Sequence, residues 1–213
     1  MDVAIAGGHG KVGSKLGALL AQRGHSVRGL IRKSEQADDL RAIEVEPVLC
    51  DLETEDDVAA AVRGADAIVF AAGAGPGSGA ERKRTMDLGG ALKLIDAAEA
   101  DGIRRYAMVS AMGAGSPPAQ EGGAFGEYLR AKAEADRALI ASGLDHTIVR
   151  PGSLTDDPPT GRITVGTSIG RGEVSRDDVA ATLAAVLVAE NTIDKTFELI
   201  AGNIPIEEAV ASL

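Results

Sequence analysis

Short apolar runs alternate with segments of helical periodicity along almost the whole chain. Val3-Ala4-Ile5-Ala6 is the first such run, and Ala67-Ile68-Val69-Phe70-Ala71 is the most uniform. Runs of this length without polar alternation fit strands that helices bury on both faces. The pattern predicts strands over 2–6, 26–31, 45–50, 66–71, 104–110 and 144–150, with another near 196–200. Helical spacing predicts helices over 11–23, 35–43, 54–63, 80–101, 125–142 and 176–189. Thr54 with Asp57 three residues later reads as an N-terminal cap, and Gly24 and Gly143 stand where helices end. The alternation predicts an α/β fold, a doubly wound parallel sheet with helices on both faces and right-handed crossovers. Ligands then belong at the carboxyl ends of the strands. Two stretches break the pattern, 113–124 and 152–175. Both follow strands on the ligand side, which makes them the expected substrate loops.

Composition narrows the picture. The 213 residues contain no linker-like stretch, so a single domain over 1–213 is expected. A chain of this size buries about 70% of the surface its unfolded form exposes. With three Phe, two Tyr and no Trp, that core must be built from Ala, Val, Leu and Ile. A net charge of −10 gives no general attraction to nucleic acid or to an anionic membrane, so the expected partner is a small-molecule substrate. The protein is expected to act as a monomer or a homodimer. No apolar run reaches the roughly 18 residues of a membrane span. The chain enters its first strand at once, so no signal peptide is expected. The lone Cys50 forms no internal disulfide, fits a reducing cytoplasm and reads as a buried thiol at a strand end. His9, His25 and His146 lack metal-ligand spacing, and no metal is expected.

The segment Gly7-Gly8-His9-Gly10-Lys11-Val12-Gly13 lies between the first strand and the first helix. Glycines in a strand–turn–helix context point to a dinucleotide site. Gly7 permits the turn, Gly10 lets backbone approach a pyrophosphate, and Gly13 lets the helix pack on the strand. Lys11 and Val12 then sit at a helix N-terminus, where free N–H groups favour phosphate.

In NAD-binding folds an acidic residue about twenty positions past the glycines holds the ribose 2′-hydroxyl. Here the second strand ends in Arg32-Lys33-Ser34, with no carboxylate before Glu35. Cations at a helix N-terminus oppose its dipole, so Arg32 and Lys33 want another reason to be there; a 2′-phosphate supplies one. The reading is NADP rather than NAD. Asp51 and Leu52 follow the third strand and are placed to meet adenine. Ala71, Ala72 and Gly73 follow the fourth and are small enough to let a dinucleotide lie across the sheet edge.

Tyr128 and Lys132 are one helical turn apart on a predicted helix. A phenol with its ordinary pKa of about 10 exchanges protons poorly at neutral pH, and a nearby ammonium stabilises the phenolate. Ser110 ends the fifth strand, where its hydroxyl could orient a substrate carbonyl.

Taken together, Gly7-x-x-Gly10-x-x-Gly13, Asp51-Leu52, Tyr128-x-x-x-Lys132 and the 144–152 segment resemble the short-chain dehydrogenase/reductases. The match is to their atypical, NmrA-like and epimerase-like NAD(P)-binding branch, and it covers nearly the whole chain. The resemblance implies a Rossmann fold, Tyr128 as acid/base, Lys132 as its partner and ribose contact, and Ser110 as carbonyl orienter. It also implies that Pro151, Gly152 and Leu154 line the nicotinamide. Three departures stand out. The region after residue 152 is short, which argues against a full nucleotide-sugar epimerase. Many members of the branch lack the tyrosine this chain keeps, and the stretch from Ser110 to Tyr128 is longer than in typical reductases. The expected activity is that of an NADP-dependent oxidoreductase acting on a small carbonyl or alcohol that is not strongly anionic. The scattered cations Arg130, Arg162, Arg171 and Arg176 are the candidates to line its pocket. Two alternatives remain: an NAD(P)-binding sensor without turnover, and an epimerase- or dehydratase-like enzyme that retains NAD.

Overall fold

A computed structural model of the protein describes residues 1–75, 77–116 and 123–213. The strands are β1 (Asp2–Ala6), β2 (Ser26–Ile31), β3 (Glu46–Leu49), β4 (Ala67–Phe70), β5 (Arg105–Val109), β6 (Asp145–Pro151), β7 (Ser153–Thr155), β8 (Arg162–Gly166), β9 (Glu173–Ser175), β10 (Lys195–Ala201) and β11 (Ile204–Pro205). The helices are α1 (Lys11–Gln22), α2 (Ala37–Arg41), α3 (Ala59–Val62), α4 (Ala80–Arg82), α5 (Ala91–Asp101), α6 (Gly123–Ala141), α7 (Arg176–Val188) and α8 (Ile206–Ala211). A π-helical segment, Lys83–Gly90, joins α4 to α5 without a break.

Nine strands form one sheet in the order β11-β8-β10-β6-β5-β4-β1-β2-β3. From β10 to β3 every pairing is parallel, as expected. The exception is one edge, where β8 runs antiparallel to β10 and β11 antiparallel to β8. The region expected to be loop over 152–175 thus holds three strands, β7, β8 and β9, with β7 and β9 paired as a separate two-stranded sheet. They are short and lack the uniform apolar character of the central strands, which is why pattern alone passes over them.

Side chains along each central strand divide between the two faces. Val3 and Ile5 of β1 join Leu16, Leu20, Leu183 and Leu187 under α1 and α7. Ala4 and Ala6 join Ile68, Phe70, Leu94 and Leu139 under α3, α5 and α6. Both faces are therefore dry, and each large side chain buried there contributes about 1.5–3 kcal/mol. One expected cap is absent: α3 starts at Ala59 rather than at residue 54. Asp57 Oδ1 instead accepts the Ala59 N–H at 2.9 Å, a local turn that competes with helix. Gly24 and Gly143 follow α1 and α6 with φ of +79° and +72°, the left-handed conformation that ends a helix.

Candidate active site

The carboxyl ends of β1 to β6 open onto one cleft of about 1420 Å³. Its nucleotide-sized half begins at the glycine turn. Gly7 has φ +77°, and its carbonyl oxygen accepts the Gly10 N–H at 2.8 Å. A β-carbon on Gly7 would stand 2.8 Å from Ala72 Cα, and one on Gly10 would stand 3.0 Å from Gly7 O. The turn is thus folded against the end of β4 with no room for side chains. Gly10 caps α1 with no side-chain bond, which leaves the amides of the first turn to a ligand. This cradle fits a pyrophosphate.

Gly7, Gly10, Lys11, Val12, Arg32, Asp51, Leu52, Ala71, Ala72 and Gly73 all line the cleft. Two expected cofactor residues do not. Gly13 is buried under the turn, where its role is clearance. Lys33 opens the 3-10 turn Ser34–Gln36, with its backbone N–H bonded to Gln36 Oε1 at 3.2 Å, and it is exposed outside the cleft lining. Of the Arg32–Lys33 pair, Arg32 lines the cleft and Lys33 does not. His9 and Gln36 join Arg32 on this rim. His9 Nε2 lies 2.8 Å from Asp39 Oδ2, and Gln36 Nε2 lies 3.1 Å from His9 Nδ1. Cys50 lines the cleft as a buried thiol, pushed up to about 12 by burial and by Glu55 and Asp51.

At the other end the cleft reaches Ser110, Tyr128, Lys132, Pro151, Gly152 and Leu154 together. Lys132 is buried; its Nζ donates to Val109 O at 3.1 Å and lies 3.4 Å from Asp87 Oδ1. Asp87 comes from the π-helical segment and is 1% exposed. Its Oδ2 accepts the Ala74 N–H at 3.2 Å, while Oδ1 has no hydrogen-bond partner among the described residues. Lys83 Nζ sits 5.1 Å from the centre of the Tyr128 ring, and Lys132 Nζ 6.0 Å. Burial, then Asp87 and Asp136, push the Tyr128 phenol above its ordinary range. That is opposite to the direction expected from Lys132 acting alone.

Ser110 is 2% exposed, and its Oγ has no hydrogen-bond partner among the described residues. It lies close enough to Asp136 to favour that carboxylate, without the geometry of a hydrogen bond. Asp136 pairs with Arg150, whose Nε and Nη2 stand 2.9 and 2.8 Å from Oδ2. Burial raises the Asp136 carboxyl, against the pull of Ser110, Arg150 and Lys132.

Among the scattered cations, Arg171 and Arg176 line the cleft, whereas Arg130 and Arg162 do not; Arg130 pairs with Glu127 and Arg162 bonds Asn203 O. Lys83 and Arg82 line it unexpectedly. The expected loop 113–124 is described only in part, and positions 117–122 lie outside the described residues. Asp87 and Asp136 have no place in the sequence reading, and Arg150 enters it only as part of the 144–152 segment. A signal existed, since Asp87 falls in step with buried Gly90, Ala91 and Leu94, and Asp136 with buried Leu129, Lys132 and Leu139. A carboxylate on an apolar stripe needs a partner.

Comparison with known proteins agrees with this geometry. A family model described as NAD(P)H-binding matches residues 7–190. A Bacillus subtilis protein named an uncharacterized sugar epimerase, YhfK, is 42% identical over 215 residues and covers 100% of both chains. A solved Bacillus halodurans structure, described as a candidate NAD-dependent epimerase/dehydratase, superposes with a TM-score of 0.94 at 40% identity over 100% of both chains. The Escherichia coli O157:H7 protein ChuY, described as an anaerobillin reductase, gives 0.81 at 28% identity over 96% of this chain and 98% of its own.

Proposed function

The chain belongs to the NAD(P)H-binding family, within the Rossmann-fold proteins related to epimerases and reductases, and from that premise we propose an NADP-dependent oxidoreductase. Its substrate is a small carbonyl compound or the corresponding alcohol. The nicotinamide, when bound, supplies or takes the hydride. The glycine turn and the first amides of α1, with Lys11 and Val12, hold the pyrophosphate, and Arg32 holds the 2′-phosphate. Asp51 and Leu52 meet the adenine; Ala71, Ala72 and Gly73 let the dinucleotide lie flat. Pro151, Gly152 and Leu154 shape the nicotinamide pocket.

Tyr128 exchanges a proton with the substrate oxygen, Lys132 holds the nicotinamide ribose, and Ser110 orients the carbonyl. The observation that carries this reading is the Ser110 hydroxyl: buried, without a hydrogen-bond partner among the described residues, and on the same cleft as Tyr128 and the glycine turn. A buried hydroxyl beside the Asp136 carboxylate but without hydrogen-bond geometry to it is open to a substrate oxygen. The lone buried cysteine supports a cytoplasmic setting, and no described helix is long and apolar enough to cross a membrane.

The test is NADPH oxidation against a panel of carbonyl compounds, with Tyr128→Phe beside the parent. Loss of an acid/base group slows turnover by about 10²–10⁴-fold. A parent that reduces nothing, or a variant as fast as the parent, rejects the assignment. The name of the Bacillus subtilis relative favours a second reading, an epimerase that retains its NAD. Cofactor that copurifies and resists dialysis would mark it.

A further inference from the structure

We propose that Asp87 is a positioning residue that takes up the charge of Lys132 and so holds Tyr128 as a neutral phenol. The phenol then keeps, at neutral pH and above, the proton it can give to a carbonyl oxygen. The inference rests on the oxidoreductase reading above and adds the resting protonation state and the role of a residue outside the Tyr128–Lys132 pair.

The charges that face Tyr128 come from three elements. The π-helical segment brings Lys83 over the ring and Asp87 beneath Lys132. Helix α6 brings Lys132 and Asp136, and β6 brings Arg150. Both buried cations are already matched. Lys132 lies against Asp87 with side-chain exposures of 4% and 1%, and Arg150 lies against Asp136 with 16% and 2%. So little water reaches the first pair that its two charges offset each other as seen from the phenol. Lys83 sits at the ring face and is anchored to Gly75 O at 2.9 Å, on the solvent side where its field is screened. What remains is the partial desolvation of a half-buried ring plus two nearby carboxylates, and all three favour the protonated phenol.

The aspartate is not needed for its one backbone bond. Its Oδ2 accepts the Ala74 N–H, and an asparagine oxygen would do the same. The charge itself therefore has another use, and its unpartnered Oδ1 is turned toward the Lys132 ammonium inside the cleft. The proton balance follows. Hydride reaches the carbonyl carbon, the π electrons move to oxygen, and the Tyr128 O–H bond breaks as an O–H bond forms on the product alcohol. The phenolate regains its proton from water. A bound dihydronicotinamide would supply the two electrons as hydride, and one solvent proton would be consumed.

The chain suits a direct test, having two tyrosines and no tryptophan. Tyr106 is fully buried, and its phenol is pushed up by burial, so tyrosinate absorbance during alkaline titration develops first from Tyr128. Tyr128→Phe assigns the step. In the parent protein without cofactor, the Tyr128 midpoint is expected above the ordinary phenol value; a midpoint at or below about 10 overturns the proposal. Asp87→Asn is expected to lower that midpoint by about one pH unit, a tenfold gain in phenolate at fixed pH. An unmoved or raised midpoint in the folded variant overturns the role of Asp87. With NADPH and a carbonyl substrate, the parent rate should stay level through neutral pH and fall only at the alkaline Tyr128 midpoint. A rate that falls through neutral pH overturns the resting state. A parent with no turnover in either direction overturns the oxidoreductase reading, whereas the titrations alone decide the role of Asp87.

Discussion

A β-carbon on Gly13 would stand 2.2 Å from the carbonyl oxygen of Gly7, closer than any real contact. That oxygen already accepts the Gly10 N–H, so it cannot retreat without opening the turn. Gly13→Ala is expected to cost about 1–3 kcal/mol of stability through overpacking. It should also abolish dinucleotide binding, because the shifted turn no longer presents its amides. Thermal unfolding and NADPH titration check both effects; a variant with the parent's melting temperature would mean that the backbone gives way elsewhere.

Arg150 and Asp136 form a nearly buried pair. Arg150→Met strands the carboxylate and is expected to cost about 3–5 kcal/mol near neutral pH. The pH dependence has a definite sign. Burial already raises the Asp136 carboxyl above its unfolded value, and removing the guanidinium raises it further. A raised folded pKa gives stability that is present below the unfolded pKa and lost as pH rises through the folded one. The variant's deficit should therefore be small in acid and widen toward neutral pH. Denaturant unfolding of both proteins at several pH values measures it, and a deficit that narrows as pH rises would contradict this account of the pair.

Cys50 gives an alkaline counterpart. Its thiol is pushed from 9.0 up to about 12 by burial and neighbouring carboxylates. The folded state thus keeps a proton that the unfolded state releases, and stability falls as pH rises from 9 toward 12. Cys50→Ala should flatten that part of the stability curve. The same shift predicts that the folded protein resists alkylation at mildly alkaline pH, where thiolate is the reactive form. Rapid labelling of native protein would contradict the burial.

Strands β1, β4, β5 and β6 and the long helices are legible in the sequence because each apolar run is buried on both faces, whereas β3 at the sheet edge has no buried residue. Val3-Ala4-Ile5-Ala6 has nowhere else to go. The strands β7, β8 and β9 are not legible, because they depend on pairing at the edge of the fold rather than on their own composition. The extent of α3 fails for a local reason, since Asp57 satisfies the Ala59 N–H and releases the preceding residues from the helix. In the site, the residues read from motifs meet on one cleft, apart from Gly13 beneath it and Lys33 beyond it. The electrostatics were harder to read. Spacing places Lys132 near Tyr128, but only the tertiary packing of the π-helical segment on α6 shows that Asp87 has claimed the ammonium. The segment is also invisible to helical spacing, which continues smoothly from 80 to 101.

In the proposed function, this cleft takes a nicotinamide dinucleotide and reads its 2′-phosphate through Arg32. Equilibrium titration of the parent protein and Arg32→Ala with NADPH and with NADH tests it most directly. A charge-assisted hydrogen bond contributes about 1.5–3 kcal/mol, so the parent should bind NADPH at least about tenfold more tightly than NADH. Arg32→Ala should remove most of that difference while leaving NADH affinity nearly unchanged. Tighter binding of NADH by the parent, or a preference for NADPH that survives the loss of Arg32, would mean that Arg32 does not read a 2′-phosphate.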